Sequence, residues 1–208
     1  MAIINPGDLI LFQGDSVTDC GRSRDSDDQL GSGYANMIAA QFAVRFPELK
    51  ARFVNRGVSG NRVKDLAERW DEDCIALQPD IVSILIGIND TWRRFDSQDP
   101  TSTESYLADY RRILYRVRNE LQARLVLMDP FVLPTSPDRL AWRADLNPRI
   151  DGVRELAREF SATYIPLDGI FAAASMRAPC AIWSADGVHP TQAGHALIAR
   201  AWLDAAIN

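Results

Sequence analysis

Histidine and cysteine are scarce in this chain, and the scarcity narrows its chemistry before any motif is read. The three cysteines, Cys20, Cys74 and Cys180, are widely spaced and include no Cys-x-x-Cys pair. That excludes a disulfide framework and a thiolate zinc site, and leaves free thiols. With only two histidines, His189 and His195, and no His-Glu-x-x-His, a histidine-built metal centre is not expected either. Basic residues do not predominate: Lys and Arg total 23 against 28 Asp and Glu, for a formal charge of -5. No global positive field draws in nucleic acid or an anionic membrane, so a small neutral substrate fits better. No apolar run approaches the length of a bilayer span, and the opening Met-Ala-Ile-Ile-Asn-Pro lacks a basic segment ahead of an apolar one. The expectation is a cytoplasmic protein without membrane contact.

Cofactor fingerprints are missing as well. Gly57-Val58-Ser59-Gly60 lacks the Lys-Ser/Thr that completes a phosphate loop. Gly31-Ser32-Gly33-Tyr34-Ala35-Asn36 lacks both the third glycine and the leading strand of a dinucleotide turn. No cofactor and no metal are expected.

What is present is alternation. The 208 residues suit one domain, 1–208. Along them, apolar or β-branched runs alternate with segments of helical period, the pattern of βαβ units and hence of an α/β fold. Strands are expected over Asp8 to Gln13, Arg52 to Asn55, Asp80 to Ile86, Arg124 to Met128 and Thr163 to Leu167. The third is apolar nearly throughout, as a central strand covered on both faces would be. Helices are expected over Tyr34 to Phe46, Arg62 to Leu77, Thr103 to Leu121, Leu146 to Phe160 and Thr191 to Ala206. Pro190 suits a first helical turn, so the final helix should start immediately after His189. The proline-rich stretch from Pro130 to Pro148 reads as a connection, either covering a site or simply solvated.

Gly14-Asp15-Ser16 follows the apolar run Leu9-Ile10-Leu11-Phe12, which places a hydroxyl where a strand leaves the carboxyl edge of a parallel sheet. A serine hydroxyl is a weak nucleophile until a base takes its proton and a third group fixes the base's tautomer. Asp186-Gly187-Val188-His189 offers both within one loop. Attack on an ester creates an oxyanion that needs fixed donors. The backbone N–H groups of Ser16 and Gly60 and the side-chain amide of Asn89 are candidates, from segments that should leave the second and third strands on that same edge. The bland alternative is that Gly57 and Gly60 are turn residues and Asn89 and Asp90 a helix cap. Cys20 lies four residues past Ser16 and reads as a buried thiol or a pocket wall, and His195 as an ordinary helix residue.

These four segments, in this order, resemble the SGNH hydrolases, the GDSL esterase/lipase family. More specifically, Gly14-Asp15-Ser16-Val17-Thr18-Asp19-Cys20-Gly21-Arg22, Gly87-Ile88-Asn89-Asp90-Thr91-Trp92-Arg93 and Val188-His189-Pro190 with Gly194-His195 are similar to its small intracellular acetylxylan and carbohydrate acetylesterases. The resemblance implies a three-layer α/β/α sandwich with a flavodoxin-like, five-stranded parallel sheet. It implies Ser16 as nucleophile, Asp186 and His189 completing a triad, Ser16, Gly60 and Asn89 as the oxyanion hole, and an acylated carbohydrate as the small-molecule partner. Val17 stands where the family name has leucine, a conservative departure.

Trp92 and Arg93, with Arg94, follow Asn89 and could give a sugar a stacking face and polar anchors; equally, Trp92 reads as a core ring and the arginines as solvated or paired. Asp15 is grouped with the substrate-contacting residues, although its simplest work is to hold local loop shape. Within the same chemistry, a general short-chain esterase or lipase is the alternative. A metal-dependent phosphoesterase, with Asp15, Asn89, Asp90, Asp186 and His189 as ligands, would leave Ser16 unexplained. A homo-oligomer is left open by the sequence.

Overall fold

The computed structural model describes residues 3–207. Five parallel strands form its sheet: β1 Leu9–Gly14, β2 Arg52–Asn55, β3 Ile81–Leu85, β4 Arg124–Met128 and β5 Thr163–Ile165. Their order is β2-β1-β3-β4-β5, so the apolar third strand is indeed the middle one. Side chains alternate across a strand, and here both faces are apolar. Ile10, Phe12, Ile81, Leu85, Val126 and Met128 cluster with Tyr34, Ile38, Ile198 and Trp202 of the helices Tyr34–Arg45 and Gln192–Ile207. Leu9, Leu11, Val82, Ile84, Leu125 and Leu127 cluster with Leu66, Tyr110, Ile113 and Val153 of Val63–Glu68, Thr103–Arg116 and Arg143–Glu159. The result is an α/β/α sandwich. Ser83, the one polar residue of β3, is fully buried and accepts the Trp202 indole N–H at 2.9 Å, which ties the last helix to the sheet centre.

Helix boundaries depart from expectation. The helix expected over 62–77 is broken into Val63–Glu68, Trp70–Asp73 and a 3-10 turn at Ile75–Leu77, with Arg69 at the first break. Pro148 lies inside a helix that already begins at Arg143, not ahead of one. The buried Arg149 guanidinium, which donates to the Asp145 carbonyl and carboxylate and to the Thr101 carbonyl, braces that kink-prone turn. The final helix starts at Gln192, since Thr191 is the cap: its hydroxyl accepts the Gly194 N–H at 3.2 Å, a better start signal than Pro190. Pro190 instead pairs with Ser184 in an isolated antiparallel bridge. β5 ends at Ile165, and Leu167 opens a further helix to Ser175.

Candidate active site

Three strand ends and one loop meet at the carboxyl edge of the sheet. At the end of β1 the chain must turn sharply, and Gly14 permits it: a Cβ there would lie 2.4 Å from the Leu85 carbonyl oxygen of the neighbouring β3. Asp15 then caps a one-turn helix, Ser16–Asp19, its carboxylate accepting the Val17 N–H at 3.0 Å. Asp15 is 1 % exposed, so the structure buries a residue that was grouped with the substrate contacts. Burial pushes its carboxyl up to about 7 against the opposing Val17 hydrogen bond. Ser16, the first residue of that turn, is half-buried, and its backbone N–H belongs to the helical positions that have no partner within the helix.

The Ser16 Oγ lies 3.0 Å from His189 Nε2, and His189 Nδ1 lies 2.7 Å from Asp186 Oδ2. The other Asp186 oxygen accepts from Val188 N–H, His189 N–H and the Ser184 hydroxyl at 2.9, 2.7 and 3.1 Å. Burial alone would raise the Asp186 carboxyl; the His189 hydrogen bond and the two backbone donors outweigh it and hold the group well below the usual carboxylate range. The same hydrogen bond raises His189, against partial burial. An ionised carboxylate fixing Nδ1–H leaves Nε2 free to accept a proton from the hydroxyl.

The second and third strand ends supply the candidate oxyanion donors. Gly60 sits at φ +85°, a left-handed conformation that favours glycine, in the loop after β2. Ser59 beside it is held by N–H and hydroxyl bonds of 3.0 and 2.9 Å to Asp19. Asn89 is 3 % exposed in the helix Ile88–Asp96, and its amide donates to the Asn61 carbonyl at 3.1 Å, linking the two segments. Arg69, which sequence reasoning passed over, secures Asn61 through a 2.8 Å bond to its side-chain oxygen and an ion pair with Asp73.

Trp92 packs beside His189, with ring centres 5.8 Å apart, and beside the buried Trp142 at 5.3 Å. Arg93 pairs with Asp96, yet its guanidinium passes 3.9 Å from the position a Cβ would take on Gly60. Arg94 is paired with Asp145 at 2.9 Å. Cys20 is half-buried, its sulfur 3.4 Å from Nε2 of His195, whose Nδ1 accepts the Tyr34 N–H. The suggested phosphoesterase ligands do not converge: Asp90 caps Val63 N–H at 3.2 Å. Among the described residues no three His, Cys, Asp or Glu side chains gather to hold a metal. Nor is any helix among them long and apolar enough to cross a membrane.

The model of the GDSL-like lipase/acylhydrolase family matches residues 12–197. The chain is 38 % identical to an acetylxylan esterase of Geobacillus stearothermophilus, over 96 % of this chain and 94 % of that one. Among solved structures, a catalytic mutant of the acetylxylan esterase Axe2 from the same organism superposes with a TM-score of 0.91 at 34 % identity, covering 98 % of this chain and 95 % of Axe2. LAE5, an alpha/beta hydrolase from the metagenome of Lake Arreo, also gives 0.91, at 33 % identity, with 99 % and 98 % covered. The chain belongs to the GDSL-like lipase/acylhydrolase family and is a serine carboxylic-ester hydrolase.

Proposed function

We propose that this enzyme removes short acyl groups, foremost acetyl, from carbohydrate esters such as acetylated xylo-oligosaccharides, acting as a single domain. The observation that carries the chemistry is the hydrogen-bonded line from Ser16 through His189 to Asp186. His189 takes the Ser16 proton on Nε2 as the oxygen attacks the ester carbonyl. The resulting oxyanion lies among the N–H groups of Ser16 and Gly60 and the Asn89 amide. The intermediate expels the sugar oxygen, to which His189 returns the proton, leaving an acyl-serine. Water then attacks that ester and gives a proton to His189, which passes it to the departing Ser16 Oγ as the carboxylic acid is released.

The substrate rests on different support. The relatives in Geobacillus are acetylxylan esterases, and the site is open: the His189 and Asp186 side chains are 46 % and 41 % exposed. An open site holds a short acyl group as well as a long one and gives a long chain no added burial. Two measurements test the reading. A serine-directed phosphonate should add to Ser16, found by peptide mass spectrometry, while a chelator leaves turnover unchanged. Across p-nitrophenyl acetate, butyrate and octanoate, kcat/KM should fall, and acetylated xylobiose should release acetic acid. Efficiency that rises with acyl length, with no acetate from the sugar, would make the enzyme a general esterase or lipase.

A further inference from the structure

The connection from Pro130 to Pro148 meets the Asp186–His189 loop at Arg139 and at Leu133. Arg139, in the short helix Pro137–Ala141, extends its Nε–H to the Asp186 carbonyl oxygen at 2.9 Å. Its guanidinium carbon lies 4.0 Å from the Trp142 ring centre and 5.0 Å from that of Trp92, and Trp92 in turn packs beside His189. The same connection holds the next residue of the loop, for Leu133 N–H donates to the Gly187 carbonyl at 2.8 Å. The end of the Arg139 side chain is fixed by Asp138 at 2.8 Å, and its own N–H by the Ser136 hydroxyl at 3.2 Å. A planar guanidinium can bond a carbonyl at its edge and stack on rings with its face at the same time, which a lysine ammonium cannot.

We propose that Arg139 is a positioning residue for ester hydrolysis, clamping the Asp186–His189 loop from outside and pressing Trp92 against the imidazole so that Nε2 stays within reach of Ser16. The proposal rests on His189 being the base. Such a clamp matters because a loop, unlike a strand end, has few contacts of its own to fix a side chain, and the Asp186 side-chain oxygens are already used within the loop. Only an outside group can register the loop against the rest of the site.

A charge beside the base has a second effect. The charged and titratable groups around His189 are Asp186 on its own loop, Asp15 under Ser16, Arg139 on the connection and His195 on the final helix. The Asp186 hydrogen bond raises the imidazole most, burial opposes it, Asp15 adds a little and Arg139 subtracts. Removing the guanidinium therefore acts on the base in two opposed ways: the lost charge raises it, and a slackened Asp186 hydrogen bond lowers it.

The test is the pH profile of p-nitrophenyl acetate hydrolysis for wild type, Arg139→Met, Arg139→Lys and His189→Ala, each checked by circular dichroism. On the pH plateau, Arg139→Met should lower kcat by about 10- to 100-fold with KM changed less than about twofold. Arg139→Lys keeps a donor and the cation but not the flat face, so its kcat should fall in between; it also serves if Arg139→Met does not fold. Folded variants with wild-type kcat overturn the proposal. So does a KM that rises as much as kcat falls, which is the mark of general loosening. An acid limb that survives in His189→Ala sinks the base assignment itself and is recognisable separately from either result.

Discussion

At the scale of single residues, the Asp186–His189 pair carries the sharpest expectations. On the proposed mechanism the carboxylate, 2.7 Å from Nδ1, holds the imidazole in the tautomer that leaves the nitrogen facing Ser16 unprotonated. An Asp186→Asn amide would turn a donor toward Nδ1, favouring the wrong tautomer, and kcat should fall by about 10⁴. Because the Asp186 hydrogen bond is the main cause that raises His189, its loss should also lower the imidazole and shift the acid limb of the residual rate to lower pH. A limb that moves upward in Asp186→Asn would contradict that electrostatic account. Ser16→Ala should leave a folded protein, with turnover no better than the roughly 10³- to 10⁴-fold acceleration over water that binding and oxyanion donors alone supply; wild-type turnover in that variant would remove Ser16 from the mechanism. Asn89→Ala should lower kcat by about 10²- to 10³-fold and leave KM nearly unchanged, since the donor acts as charge develops. A rise in KM at constant kcat would make Asn89 a ground-state contact.

At the scale of elements, the site depends on how strands and helices end. Thr191 both caps the final helix through Gly194 N–H and donates its hydroxyl to the Ile182 carbonyl at 2.6 Å, just beyond the His189 loop. Thr191→Ala should cost about 1 kcal/mol for the cap, read by urea unfolding, whereas Thr191→Ser should recover most of it; equal stability of all three would show the helix to be capped otherwise. The same elements show what the sequence discloses. All five strands were legible, the central one most clearly, since a strand covered on both faces is written as a nearly continuous apolar run, here Ile81 to Leu85 with Ser83 its one polar residue. The motif segments were legible because each lies at a strand end or a helix start, where local chemistry is specific. The broken helix at Arg69 and the helix running through Pro148 were not: at each place an arginine meets a backbone carbonyl far along the chain, Gly14 for Arg69 and Thr101 for Arg149. Arg139 was invisible for the same reason, its partner Asp186 being 47 residues distant.

On the scale of the whole molecule, the buried ionisable groups set activity and stability against each other across neutral pH. Burial raises Asp15 and Asp90 to about 7 and Asp129 to about 6, each against hydrogen bonds that favour the charged form. Asp90 is fully buried with one carboxylate oxygen unpartnered. A carboxyl whose folded value lies above its unfolded value stabilises the fold fully below about pH 4 and loses that contribution as pH climbs through the folded value. His195 runs the other way. Burial lowers it to about 4, so it costs stability as pH falls from about 6.5 towards 4. Three raised carboxyls oppose one lowered imidazole, and the net charge of -5 adds repulsion as pH rises. Tm should therefore be higher near pH 5 than near pH 8, with 1 kcal/mol worth about 2–4 °C in a chain of this size. On the proposed mechanism the activity needs neutral His189 and should climb as pH rises, opposite to stability. Asp90→Asn isolates the cause, since an amide in that site carries no charge at any pH. Its Tm relative to wild type should rise steadily from pH 5 to pH 8, measured by calorimetry at fixed ionic strength. A difference independent of pH would mean that Asp90 stays in one protonation state throughout, and the decline in stability would then have to come from Asp15 and Asp129 alone.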